Sequence, residues 1–387
     1  MTKLIDITGK ALSGEWGTDD EMGKGIFVIR TTNFTNEGVI NYRDVVTRNI
    51  VKKNLDKKFL CNGDIIIEKS GGSDKYPVGR VVYFDGPEKK YLFNNFTGLL
   101  RVKNKAVWYP RYVFYSLYSN YRRGGTRQFE NKTTGLHNLK IDSYVSCYEV
   151  KDNDYDNQVS ISKQLDIIFG IIKKREKQLD KMEELIRARF VEMFGYPSIN
   201  NKRWQMGVIN EIGSCIAGAT PSTKVDEYWN NGTIPWMSSG EVNKGRVDRT
   251  DNFITHLGYD KTSTKLVPPK TVVLAMAGQG KTRGMAAITE IELCTNQSIC
   301  SIVNNEKVDA EYLLYFLKLQ YNELRRASTN TDGRGGLNLK IIGNYPIMIP
   351  PVALQKYFAT FVTQVNKSKL LAASQPQIHI YKTLTLL

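Results

Sequence analysis

The stretch Ala277-Gly-Gln-Gly-Lys-Thr282 has the residue types of a phosphate-binding loop. Such a loop needs a glycine, four residues, then Gly-Lys-Ser/Thr, so that backbone N–H groups cradle phosphates while the lysine reaches the outer ones. The position that should hold the first glycine is Ala275. A tight strand-to-strand turn is therefore expected, carrying Gln279, Lys281, Thr282 and Arg283 outward. No Gly-x-Ser-x-Gly elbow, no His-Glu-x-x-His and no Gly-x-Gly-x-x-Gly opening a helix occurs. The Asn/Asp-Pro-Pro-aromatic signature of amino-methylating chemistry is missing too, because Ile349-Pro350-Pro351-Val352 does not supply it. The adjacent carboxylates Asp19-Asp20 and Glu183-Glu184 do not share a helix face and are expected to be solvated. His137, His256 and His379 lie far apart, so each is expected to be a satisfied surface or core residue, and no metal site is expected. No catalytic residue is assigned.

What remains is basic and polar. The formal charge is +15, from 54 Lys+Arg against 39 Asp+Glu, which favours a polyanionic partner: nucleic acid or an acidic membrane surface. The candidate contacts sit in Gly-rich loops. One group is Ser70, Ser73, Lys75 and Arg80, and a second is Arg122, Arg123 and Arg127. A third is Gln279, Lys281, Thr282 and Arg283, followed by Arg325, Arg326 and Arg334. Glycine lets the backbone approach phosphate, Arg and Lys neutralise it, and Arg or Gln can pair bidentately with base edges. No run of about 18 apolar residues occurs, so no membrane span is expected. The five cysteines form no Cys-x-x-Cys pair and the start has no apolar leader, so reduced thiols in the cytoplasm are expected.

These loops hang on a repeated frame. IFVIRTTNFTNEGVI (26–40) is similar to IPWMSSGEVNKGRV (234–247), and DIIIEKSGGS (64–73) to TVVLAMAGQG (271–280). NNFTGLLRV (94–102) pairs with TNQSICSIV (295–303), PRYVFYSLYSNY (110–121) with AEYLLYFLKLQY (310–321), and HNLKI (137–141) with LNLKI (337–341). Five matches in one order make a duplication. Strand residues such as Ile65, Ile66, Val272 and Val273 are expected in the core. Each copy precedes a helix. Over 160–195, steps of three and four place Leu165, Ile168, Ile172, Arg175, Leu179, Met182, Ile186, Arg189 and Met193 on one seam, which Gly195-Tyr-Pro197 ends. After Pro350-Pro351, Leu354, Phe358, Phe361 and Val365 repeat the spacing, and Pro376 should kink or stop the helix. Two domains (1–158 and 204–351) and two helices (159–196 and 352–387) follow, the helices expected to pair along their seams.

This layout resembles the specificity subunit of type I restriction–modification systems. The resemblance rests on the duplicated domain-plus-helix order and on IPWMSSGEV (234–242), VVLAMAGQGKTRG (272–284), NQSICSI (296–302) and LNLKIIGNYPIMIPPVALQ (337–355). The first copy departs from the last string: LKIDSYVSCYEV (139–150) has no Pro-Pro after it, and KDNDYDNQ (151–158) is expected to intervene before the helix. The resemblance implies an α+β fold: two α/β target recognition domains, each followed by a long helix, the helices pairing as an antiparallel coiled coil. It implies that each domain reads half of a bipartite site on double-stranded DNA. The helices would act as spacer and as seat for two methyltransferase subunits, which carry S-adenosylmethionine. Motor-nuclease subunits, which use ATP and Mg, would join them, and no cofactor would sit on this chain. The alternatives are a stand-alone DNA-binding regulator or anti-restriction factor on the same scaffold, and a nucleotide-binding enzyme.

Overall fold

The computed structural model describes residues 1–52, 55–74, 76–133, 136–278, 280–328 and 336–373. They form two compact units that divide within one helix, between Lys174 and Arg175.

In the first unit the run Ile65-Ile66-Ile67 is fully buried. Consecutive apolar residues point to opposite faces of a strand, so such a run requires cover on both sides. The strand Ile65–Glu68 lies inside an antiparallel sheet of order Leu12–Ser13, Thr97–Leu100, Ile65–Glu68, Val81–Tyr83. Ile65 and Ile67 face the helix Pro110–Arg122, packing with Tyr112, Val113 and Leu117. Ile66 faces the other way, onto Ile29, Phe34 and Phe93. Ile29 and Phe93 belong to a second sheet, in which Ile26–Ile29 pairs in parallel with Tyr91–Phe93, and Phe34 follows the turn after Ile29.

The second unit repeats the plan. Gly213–Ala217, Ile299–Asn304, Val272–Ala275 and Ala286–Thr289 are neighbours in that order, with Arg246–Val247 added at the edge. Val272 and Leu274 pack with Tyr312, Leu313 and Phe316, while Val273 and Ala275 pack with Met237 and Val242. Ile234–Met237 again pairs in parallel with a strand, here Cys294–Thr295. The turns after Ile29 and Met237 share a closure: Asn33 Oδ1 accepts the Arg30 N–H at 2.9 Å, and Glu241 Oε2 accepts the Ser238 N–H at 2.8 Å. Each unit is closed by a two-stranded antiparallel pair, Thr2–Lys3 with Glu149–Val150 and Met206–Val208 with Pro346–Met348. The Tyr112 hydroxyl donates to the Lys151 carbonyl at 3.2 Å, and the Tyr312 hydroxyl to the Met348 carbonyl at 2.9 Å. One expected alignment shifts. The Leu139 N–H bonds Lys69 O and the Leu337 N–H bonds Met276 O, so Leu337 takes the place of Leu139 rather than of His137.

The long helix is Tyr155–Phe194 and the C-terminal helix is Val352–Ala373. The long helix starts earlier than the sequence suggested. Asp154 caps it by accepting the Asn157 N–H at 2.8 Å, so half of the supposed intervening segment is helical. It stops as expected at Gly195, whose φ of +81° suits glycine. Leu165 is buried in the first unit's core, and Ile168 and Ile172 are half-buried. Leu179 is half-buried, and Met182, Ile186 and Met193 pack in the second unit's core with Leu354, Phe358, Phe361 and Val365.

Within the second unit the end of the long helix and the C-terminal helix run antiparallel. Phe190 and Phe194 meet Phe358 at ring distances of 5.5 and 5.6 Å, and Glu183 meets Lys369 at 2.6 Å. Glu183 is not a solvated carboxylate. It joins Lys318 and Lys369, and accepts from the Tyr315 hydroxyl at 3.3 Å.

Candidate nucleic-acid interface

In the first unit two segments far apart in the sequence form one surface. The strand Ser70–Gly72 continues into a turn in which the Ser73 N–H bonds Tyr76 O at 2.7 Å and Ser73 Oγ accepts the Tyr76 N–H at 3.2 Å. The segment that follows the helix Pro110–Arg122 lies beside this turn. Arg127 Nη2 donates to the Asp74 carbonyl at 3.1 Å. At Gly79, with φ of +100°, an added Cβ would lie 2.8 Å from buried Thr126. Glycine is therefore required for both conformation and close approach. Glu130 Oε1 accepts the Val78 N–H at 2.9 Å while its Oε2 lies 2.9 Å from His137 Nδ1. His137 is thus a satisfied buried histidine, as expected.

The second unit brings together the corresponding segments. The Tyr321 hydroxyl donates to Lys281 O at 2.7 Å, and Arg325 Nη1 donates to Arg283 O at 3.1 Å and to the Tyr321 hydroxyl at 3.2 Å. The turn after Val272–Ala275 leads directly into Ala286–Thr289, antiparallel to it. It is a hairpin connection, without the following helix whose N-terminus a phosphate-binding loop uses.

The candidate contacts separate by environment. Arg122, Arg123 and Arg127 are exposed at the rim of the first surface, with Ser73. Ser70 is half-buried in a strand. Arg80 is turned inward. Its guanidinium donates to Thr31 O and Phe34 O, both at 3.0 Å, and pairs with buried Glu68 at 3.1 Å. Burial pushes the Glu68 carboxyl upward, and the Arg80 charge opposes this. In the second unit Lys281 is exposed, whereas Thr282, Arg283 and Arg325 are half-buried and Arg325 ties the turn to the helix Tyr321–Ala327. Arg326 is exposed and pairs with Glu323 at 2.5 Å. Lys75, Gln279 and Arg334 lie outside the described residues. Two positioning residues escaped the sequence reading: Gln158 and Gln355, buried near the start of each long helix. Their only signal was one glutamine at matching places after equivalent domains.

Residues 201–378 match the family model of the type I restriction modification DNA specificity domain. That segment, a little under half of the chain, is similar to that domain. The second unit's turn and the helix Tyr321–Ala327 lie within the matched segment, and the resemblance to specificity subunits is borne out. The chain is 25% identical over 150 residues to the EcoR124I/EcoR124II specificity subunit of Escherichia coli, covering 38% of this chain and 37% of that one. It is 32% identical over 120 residues to the MjaIX specificity subunit of Methanocaldococcus jannaschii, covering 30% and 27%. The matched segments thus span less than half the length of these curated relatives. The fold extends the likeness over the whole chain. The S subunit of a type I restriction–modification system from M. genitalium aligns with a TM-score of 0.57 at 14% identity, covering 99% of this chain and 93% of that one. A chain from a structural study of assembly and conformational transition in the type I restriction–modification system aligns with a TM-score of 0.55 at 13% identity, covering 99% and 95%. At such identity the likeness is one of fold, and it agrees with the α+β architecture expected.

Proposed function

We propose that this chain is the DNA sequence-specificity subunit of a type I restriction–modification complex, without catalysis of its own. The observation that carries the reading is the duplicated surface: in each unit a Gly-containing turn is hydrogen-bonded to the segment that follows the equivalent helix, with exposed cations at its rim. The frames match while the turns differ, SGGSDKYPVGR (70–80) against AGQGKTRG (277–284). Shared scaffold with diverged turns is what two readers of different half-sites need.

On this reading Arg122, Arg123, Arg127, Lys281 and Arg326 neutralise phosphates of double-stranded DNA and set the docking register. Base choice falls to the turns and their neighbours. The helices seat two methyltransferase subunits, which carry S-adenosylmethionine, and motor-nuclease subunits with ATP and Mg complete the complex in the cytoplasm. No helix among the described residues is long and apolar enough to cross a membrane.

The test is co-expression with the candidate methyltransferase, followed by mapping of modified adenines. Methylation at a bipartite asymmetric sequence is the expected result. Full-affinity specific binding by the lone chain, with no methylation by the pair, would point instead to a stand-alone regulator.

A further inference from the structure

The first unit carries a three-stranded ribbon that the reading above leaves unused. Glu130–Thr133 pairs antiparallel with Leu136–Leu139, which pairs antiparallel with Ser70–Gly72. The register sets Asn131 opposite Asn138, and Asn138 opposite Ser70. Residues directly opposite one another share a face, so these three polar side chains form one row across the ribbon. The alternate positions Glu130, His137 and Leu139 form the other face, where Leu139 packs in the core and His137 is buried. The Asn131 row is consequently the outward face, and Asn131 is exposed.

We propose that this face reads an adenine-containing step in the major groove of the half-site taken by the first unit, with exposed Asn131 as the base-reading side chain. The inference rests on the proposed function and assigns it specific residues. The major groove admits a two-stranded ribbon, which the hairpin of Glu130–Thr133 and Leu136–Leu139 supplies, and the carboxamide of asparagine matches the donor and acceptor that adenine presents there. The ribbon is held at its base, as a reading element must be. The Leu139 N–H bonds Lys69 O at 2.8 Å, the Lys140 N–H bonds Phe129 O at 2.9 Å, and Glu130 grips both Val78 and His137. Arg122 and Arg123 are exposed where the preceding helix ends, within reach in sequence of the ribbon's first strand. Phosphate contacts from those two would orient the ribbon without specifying bases.

The experiment is selection of duplexes from a random-sequence pool by the full-length chain in complex with its co-expressed methyltransferase. Wild type is compared with Asn131→Asp, Asn131→Ala and the double variant Arg122→Ala, Arg123→Ala, each checked for an unchanged unfolding midpoint. The expected result is that both Asn131 variants lose preference for adenine at one or two adjacent positions of one half-site, by roughly 5- to 150-fold. Asn131→Asp keeps the shape but loses the amide donor and adds a negative charge, so relaxation at the same position in both variants, beyond any general weakening, reports the lost base contact. The arginine variant should weaken all sequences alike and relax none. Unchanged preference in the Asn131 variants, or uniform weakening, overturns this inference while leaving the specificity function standing. A wild-type complex that selects no sequence removes both.

Discussion

The carboxamides of Gln158 and Gln355 make the same set of hydrogen bonds in the two units. Gln158 Oε1 accepts the Tyr109 N–H at 2.8 Å, and its Nε2 donates to Val107 O at 3.0 Å and Asn153 O at 2.8 Å. Gln355 Oε1 accepts the Asp309 N–H at 2.8 Å, and its Nε2 donates to Lys307 O at 3.2 Å and Pro350 O at 2.7 Å. Tyr109 and Asp309 are the N-cap residues of the equivalent helices. Each glutamine thus locks the start of a long helix to the start of a domain helix and to the segment between.

Replacing either glutamine by leucine leaves three backbone groups without their partner in a buried place. An unsatisfied buried group costs about 1–3 kcal/mol, and one of this size is expected as the loss at either position. Urea unfolding of the full chain measures it. Losses below the error of that measurement at both positions would show that water replaces the carboxamide.

Glu183 predicts a pH dependence. Burial raises its carboxyl pKa, but the Lys318 and Lys369 ammonium groups outweigh this and bring it down to about 2. The folded value lies below the unfolded one, so the stabilisation is full above the ordinary carboxylate range and is lost as pH falls from about 4.5 towards about 2. Glu183→Gln should cost about 1–2 kcal/mol at neutral pH after allowance for its partial exposure, with the difference from wild type shrinking at pH 3. Unfolding curves at the two pH values decide; an equal difference at both would exclude the charge as the cause.

Neutralising Arg122 and Arg123 should flatten the salt dependence of DNA binding, because each lost phosphate contact reduces the slope by roughly 0.9 on duplex DNA. Arg80→Ala is the contrast. Its guanidinium is held by Thr31 O, Phe34 O and Glu68, so domain stability should fall and the salt slope of the folded fraction should stay. A slope unchanged by the loss of both rim arginines would turn that surface away from the duplex.

Residues 172–178 of the long helix are exposed or half-buried and belong to neither core. Removing these seven, a whole heptad, keeps the seam in phase while shortening a helix by about 10 Å. The mapped spacing between half-sites should change, or assembly should fail, with each half-sequence unaltered. Identical methylated sites would exclude a spacer role.

Periodicity and repetition are local properties, and they were legible in the sequence. The run Ile65-Ile66-Ile67 demanded cover on two faces, the steps of three and four over 165–193 demanded a helix with one inward side, and Gly195 demanded its end. Five ordered matches demanded two copies of one frame. Only the tertiary structure decided which cations are available. Arg80 and Arg122 read alike in the sequence, yet Arg80 is occupied by two backbone carbonyls and a carboxylate, while Arg122 is exposed. Nor did the sequence join Asp74 to Arg127 or Lys281 to Tyr321, since those bonds close loops of 53 and 40 residues. Gln158 stayed hidden for the same reason. The value of a polar side chain depends on which backbone groups the fold leaves unpaired around it, and those groups are set by contacts distant in the chain.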